Sequence, residues 1–96
     1  MSLDQIIREE ARLIILRELA GQPDYSLGDM LLQAALTPFG INRSREWLRE
    51  EMRYLAEVGA VTLTEVGSIT VARLTAKGLD HVERRVCIVG VKRRAP

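Results

Sequence analysis

LAEVGAVTLTEVGSITVARLTAKGL, residues 55–79, contains a helix end, a tight hairpin and the start of another helix. Apolar positions at helical spacing (Met52, Leu55, Val58) stop at Gly59, a residue free to take the left-handed conformation that closes helices. The period then becomes two. Val61, Leu63 and Glu65 alternate with Thr62 and Thr64, as on a strand with one buried face. Gly67-Ser68 supplies a two-residue turn, Ile69-Thr70-Val71-Ala72-Arg73-Leu74 the returning strand, and Thr75 the cap of a further helix. Helix, glycine stop, hairpin and helix form the second half of a winged helix-turn-helix.

Upstream, a first helix is expected from Leu3 to Ala20, stopped by Gly21 with Pro23 beyond it. Its Leu13-Ile14-Ile15-Leu16 run is apolar on nearly every side, so two faces need cover, from the domain's own core or from a partner subunit. Ser26 followed by Asp29 resembles a capping box with Asp in the Glu position. It opens a short helix to about Leu36, with Leu27, Met30, Leu31, Ala34 and Ala35 expected inside. Thr37-Pro38-Phe39-Gly40 breaks that helix, and Asn42 or Ser44 caps a third over about Arg43–Val58. Trp47 or Leu48, Met52 and Leu55 form its core stripe. Two short helices joined by a glycine-bearing turn complete the helix-turn-helix.

A fourth helix is expected from Thr75 to about Arg85, with Leu79 and Val82 inward. Val86–Val91 reads as an extended, β-type segment, and Lys92-Arg93-Arg94-Ala95-Pro96 as a mobile basic tail. The fold class is therefore α+β and mostly helical: a three-helix core, a two-stranded wing, a C-terminal helix and an extended tail. Residues 1–91 form one domain and 92–96 the tail.

Composition narrows the function classes. The chain has 96 residues, of which 47% are apolar and only four aromatic, so the core must be aliphatic. A chain of this size buries only about 60–65% of its unfolded surface. One cysteine excludes an internal disulfide, and a reducing cytoplasm suits the chain. Cys87, in an apolar run, is expected to be a buried, inert thiol. The longest apolar runs fall far short of the roughly 20 residues a bilayer requires, so no membrane association is expected. No Cys/His cluster has metal-ligand spacing, no glycine-rich phosphate loop or HExxH motif occurs, and the single histidine, His81, has no nucleophile beside it. Neither enzymatic activity nor a cofactor is expected.

Charge is uneven. Net charge is +1, but residues 1–42 hold three Arg against six acids, 43–72 four Arg against five Glu, and 73–96 seven Lys/Arg against two acids. In a winged helix the third helix enters the major groove and the wing touches flanking backbone. Here that helix opens Asn42-Arg43-Ser44-Arg45, with Arg49 one turn on and Arg53 beyond. Arginine bonds bidentately to guanine and asparagine to adenine, while Ser44 and the helix N-terminal amides suit a phosphate. Arg43, Arg45 and Arg49 are the first candidates. Against this, Glu46, Glu50 and Glu57 interleave with Arg49 and Arg53 at ion-pair spacing. The wing tip, Glu65-Val66-Gly67-Ser68, carries no base. Arg73 on the returning strand could reach phosphate, and Lys92, Arg93 and Arg94 could track the backbone through counterion release.

The opening Met1-Ser2-Leu3-Asp4-Gln5-Ile6-Ile7-Arg8-Glu9, the run Phe39-Gly40-Ile41-Asn42-Arg43-Ser44-Arg45 and Gly59-Ala60-Val61-Thr62-Leu63-Thr64-Glu65 carry a resemblance. With Leu74-Thr75-Ala76-Lys77-Gly78-Leu79-Asp80-His81 and Gly90-Val91-Lys92-Arg93, they resemble small proteins of Mu-like bacteriophages and prophages. The fold is similar to ArsR- and MarR-type winged-helix regulators, in which a Leu-Thr-x-Lys-Gly run after the wing is common. The resemblance implies a regulator-like DNA-binding protein, a likeness extending over essentially the whole chain. It also implies gene positions near DNA-packaging and morphogenesis functions, and hence an alternative role as a protein-interaction adaptor in packaging or assembly. The cysteine pair of metal-sensing ArsR proteins is absent, so no sensor role carries over. Double-stranded DNA and a second copy of the chain are the expected partners, the dimer resting on the apolar surface of Leu13–Leu16 and Val86–Val91. A bacterial cytoplasm is the expected location.

Overall fold

The computed structural model describes residues 1–93, so Arg94 and the rest of the expected tail lie outside the described residues. Helices α1 (Leu3–Ala20), α2 (Asp29–Leu36), α3 (Arg45–Glu57) and α4 (Ala76–Val82) pack around a small sheet of β1 (Ser26–Gly28), β2 (Val61–Val66) and β3 (Ile69–Leu74). A single 3-10 turn, Thr37–Phe39, links α2 to α3. The winged helix-turn-helix expected from residues 55–79 is present.

α1 begins where the Ser2 hydroxyl accepts the Gln5 amide at 3.1 Å. Its Leu13-Ile14-Ile15-Leu16 run is at most 4% exposed and touches the core from both sides. Burying each such side chain contributes about 1.5–3 kcal/mol, and the chain's own α2, α3, α4 and sheet supply the cover. The surface expected to demand a partner subunit is therefore internal.

α3 is capped by Ser44, whose hydroxyl accepts the Trp47 amide, and buries Leu48, Met52 and Leu55, with Trp47 half-buried. It ends in a Schellman motif: the Gly59 amide bonds Ala56 O, the Ala60 amide bonds Leu55 O at 2.8 Å, and Gly59 sits at φ +82. The remaining carbonyls at this end are taken by the next helix. Lys77 Nζ donates to Val58 O, the Thr75 hydroxyl to Gly59 O, and the Thr75 amide to Ala60 O. Gly78 has no room for a side chain, because a Cβ there would overlap the Ala60 carbonyl and approach Leu74 Cδ1 to 2.6 Å. The Leu-Thr-x-Lys-Gly run is thus the clasp between α4 and the end of α3.

The hairpin pairs Val61 with Leu74 through to Val66 with Ile69, and only Gly67 of its two turn residues has a positive φ. Thr70, Ala72 and Leu74 face inward.

Six expectations need correction. The sheet has three strands, not two, because Ser26–Gly28 pairs with the free edge of β3 (Ser26 opposite Arg73, Gly28 opposite Val71). The Ser26–Asp29 capping box therefore does not form: α2 starts at Asp29, after Gly28, with no side-chain cap. The buried face of α2 is Asp29, Leu32 and Leu36, while Met30 and Leu31 are exposed. α4 stops at Val82, ended by Arg84 in the left-handed region, with the Arg85 amide on Asp80 O and the Arg84 amide on His81 O. Finally, residues 86–91 form no strand, and Cys87 is exposed.

The last segment is instead a strap whose backbone groups are satisfied by side chains and by scattered backbone bonds rather than by a strand edge. The buried His81 ring holds it twice: the Ile88 amide donates to Nδ1 at 2.9 Å, and Nε2 lies 3.0 Å from Lys92 O. An amide can only donate, so Nδ1 accepts and the ring proton sits on Nε2. The Tyr54 hydroxyl donates to Val89 O, Arg12 to Gly90 O, and the Lys92 amide to Glu9 O. Ile88 and Val91 point into the core beneath.

Candidate nucleic-acid interface

Asn42, Arg43 and Ser44 precede α3, and Arg45 is its first residue. Gly40, left-handed at φ +77 after the 3-10 turn, lets the chain reverse so that Asn42 and Arg43 are exposed. The Arg43 guanidinium lies 5.3 Å from the Trp47 ring centroid, with Arg8 5.2 Å from the same ring. The Gln33 side chain donates to the Arg43 carbonyl at 2.9 Å and fixes α2 to this corner. Ser44 spends its hydroxyl on the cap, and Arg45 is half-buried.

Arg49 points elsewhere. Its Nε donates to Asp29 Oδ2 at 2.8 Å, and its Nη2 bonds Ser68 O at the wing tip. Asp29 is fully buried and also accepts the Thr70 amide at 3.3 Å. Burial works hardest against its ionisation, but the Arg49 hydrogen bond, the Thr70 amide, the Arg49 charge and the Met30 amide together outweigh it. The carboxyl is held below its ordinary value. Arg49 therefore ties α2, α3 and the wing into one unit.

The solvent-facing stripe of α3 is Glu46, Glu50, Arg53 and Glu57, three acids to one base, with Arg53 3.4 Å from Glu46. Arg73 is exposed on β3 opposite Thr62, at the base of the wing rather than its tip. Lys92 is bonded to Glu10 at 2.8 Å, and Arg93 Nη2 reaches Arg84 O at 3.4 Å. Two of the candidates meet across a distance the sequence hides: Arg43 and Lys92 line one groove between α1 and the turn before α3. Asn42 and Arg43 share a second groove with Gln33 of α2 and Thr37 of the 3-10 turn.

Sequence reasoning missed a buried charge cluster. Glu51, 1% exposed, accepts Arg12 Nε at 2.8 Å and is paired with Arg8 as well. Arg12 also stacks 3.8 Å from the Tyr54 ring centroid. A signal existed, since Glu51 lies on the Leu48, Met52, Leu55 stripe, and Arg8 and Arg12 are one turn apart on α1. Among the described residues, no group of three His, Cys, Asp or Glu could hold a metal ion. No described helix is long and apolar enough to cross a membrane.

Over 94 residues the chain is 35% identical to the uncharacterised protein gp26 of Escherichia phage Mu, covering 98% of this chain and 97% of that one. The chain belongs to the Mu gp26 family. No protein-family model matches it. It is also similar to the crystal structure of a "possible transcriptional regulator for arsenical resistance", with a TM-score of 0.61 and 24% identity over 88% of this chain and 81% of the other. That likeness shows the fold: a winged helix shared with a protein described as a regulator.

Proposed function

We propose that the protein is a regulator-like, non-enzymatic winged-helix DNA-binding protein of phage or prophage origin, reading duplex with the corner where α3 begins. The observation that carries this reading is that Asn42 and Arg43 stand exposed beside the Ser44-capped N-terminus of α3, with Arg45 next to them. That placement suits base-edge contacts and a phosphate on the helix amides. Arg73 and the basic residues from Lys92 onward would add sequence-independent phosphate contacts. Arg49 belongs to the scaffold behind the interface, its guanidinium being spent on Asp29 and Ser68. A homodimer would draw on exposed apolar residues such as Leu3, Val86 and Val89 rather than on the buried Leu13–Leu16. The bacterial cytoplasm is the matching compartment.

A specific observation favours a second reading. The exposed stripe of α3 is acidic on balance and the wing tip is uncharged beyond Glu65, which suits a protein-docking adaptor in phage packaging or assembly. A low-salt gel shift with phage and host duplex fragments, run beside a sizing measurement, separates the two. Retarded bands that disappear with Arg45→Ala support DNA reading. No retardation at micromolar protein transfers the function to the adaptor.

A further inference from the structure

The two grooves around Arg43 adjoin, sharing Ile41 and Arg43 in their linings. One, about 260 Å³, runs between Ile6 of α1 and Phe39 of the 3-10 turn; the other, about 460 Å³, runs along α2 past Met30 and Ala34. Ile6, Phe39 and Met30 are each about half exposed (47%, 52% and 52%) although the fold gains nothing from leaving them in water. Phe39 is the single phenylalanine of the chain. Half-exposed apolar side chains grouped beside a charged rim mark a protein-docking site more often than a phosphate-facing surface.

The rim identifies the occupant. Lys92 is already neutralised by Glu10 at 2.8 Å. Arg43 has only its stacking on Trp47 and no carboxylate partner among the described residues. We propose that these adjoining grooves receive a short amphipathic segment of another protein, with apolar side chains entering between Ile6, Phe39 and Met30 and an Asp or Glu pairing with Arg43. A second copy of the chain does not offer such a segment on its acidic helix, because the exposed stripe Glu46, Glu50, Arg53 and Glu57 carries no exposed large apolar residue. The inference is independent of DNA binding, except that Arg43 would serve both ligands, so segment and duplex would compete for it.

The test is selection on the intact protein from a random 12-residue peptide library displayed on filamentous phage, followed by titration of the enriched peptides. Trp47, the single tryptophan, reports binding by its fluorescence from beneath Arg43. The expected consensus combines two or three apolar residues with an Asp or Glu. Affinity should fall at least about tenfold with either Phe39→Ser or Arg43→Glu and stay unchanged with Val66→Ser at the exposed wing tip. Far-UV circular dichroism checks that each variant is folded. Three results would overturn the proposal: no enrichment, a basic consensus, or peptides indifferent to both groove variants. A protein found dimeric and made monomeric by Phe39→Ser would also overturn it, by assigning the grooves to a second copy. Gel-shift failure alone would leave it standing.

Discussion

Arg49 Nε donates to the fully buried Oδ2 of Asp29 across 2.8 Å, and the same guanidinium closes onto Ser68 O at the wing tip. A residue expected from the sequence to face DNA thereby links α2, α3 and the tip of the wing. Asp29→Asn leaves Arg49 without its counter-ion, and we expect a loss of roughly 2–3 kcal/mol in urea unfolding, the range for a hydrogen bond to a charged group. Arg49→Gln should cost a comparable amount, and the double variant less than the sum, since both single changes break one interaction.

The same carboxylate sets an acid limit. Its folded-state pKa lies below the ordinary value, so its stabilising contribution is complete above the unfolded value of about 4 and is lost as pH falls through the lower folded value. Urea midpoints between pH 7 and pH 3 should therefore drop in the wild type below about pH 4. In Asp29→Asn that acid branch should be shallower. An equal fall in both proteins would remove Asp29 from the acid response.

Gly78→Ala tests the clasp between α4 and α3. Alanine favours helix over glycine by about 1 kcal/mol at an open site. Here the added methyl overlaps the Ala60 carbonyl, and the backbone on both sides is fixed by the Thr75 and Lys77 bonds. We expect net destabilisation of at least about 2 kcal/mol by thermal or denaturant unfolding. Stabilisation would mean that α4 is free to move away.

The C-terminal strap should open locally when its anchors are removed. Tyr54→Phe deletes the bond to Val89 O and should cost about 1 kcal/mol; His81→Leu strands the Ile88 amide and should cost about 1–3 kcal/mol. Hydrogen exchange at Ile88 and Lys92 should accelerate in both variants, with the α1 and α3 cores protected as before. Uniform acceleration would show that the strap is integral to global folding.

The hairpin and its flanks were legible because their signals are local. Gly59 closes a Schellman motif with residues at most five positions away, and Val61, Leu63 and Thr62 alternate within one strand. β1 was not legible: three residues carry no periodicity, and their partner, Val71 to Arg73, lies on the far side of two helices. That pairing holds Ser26–Gly28 extended and turns α2 so that Asp29 goes in while Met30 and Leu31 go out. Val86–Val91 reads as a strand by composition, yet it pairs with no strand of the sheet, and Gly90 at φ +79 bends it back over Tyr54. For the site, residue types set Asn42 and Arg43 side by side before α3 but carry no sign that Arg49 pairs with Asp29, which sits on another helix.

The most direct measurement is fluorescence anisotropy of labelled phage and host duplexes at salt from 50 to 200 mM, comparing wild type with the Arg43→Ala/Arg45→Ala double variant. The expected result is wild-type affinity falling steeply with salt, and a double variant weakened at 50 mM, with a log–log salt slope shallower by about 1 for each of the two arginines that contacts phosphate rather than a base. Wild-type protein that binds no duplex at 50 mM salt, or a double variant that binds as tightly and with the same slope, would contradict DNA reading by the α3 corner.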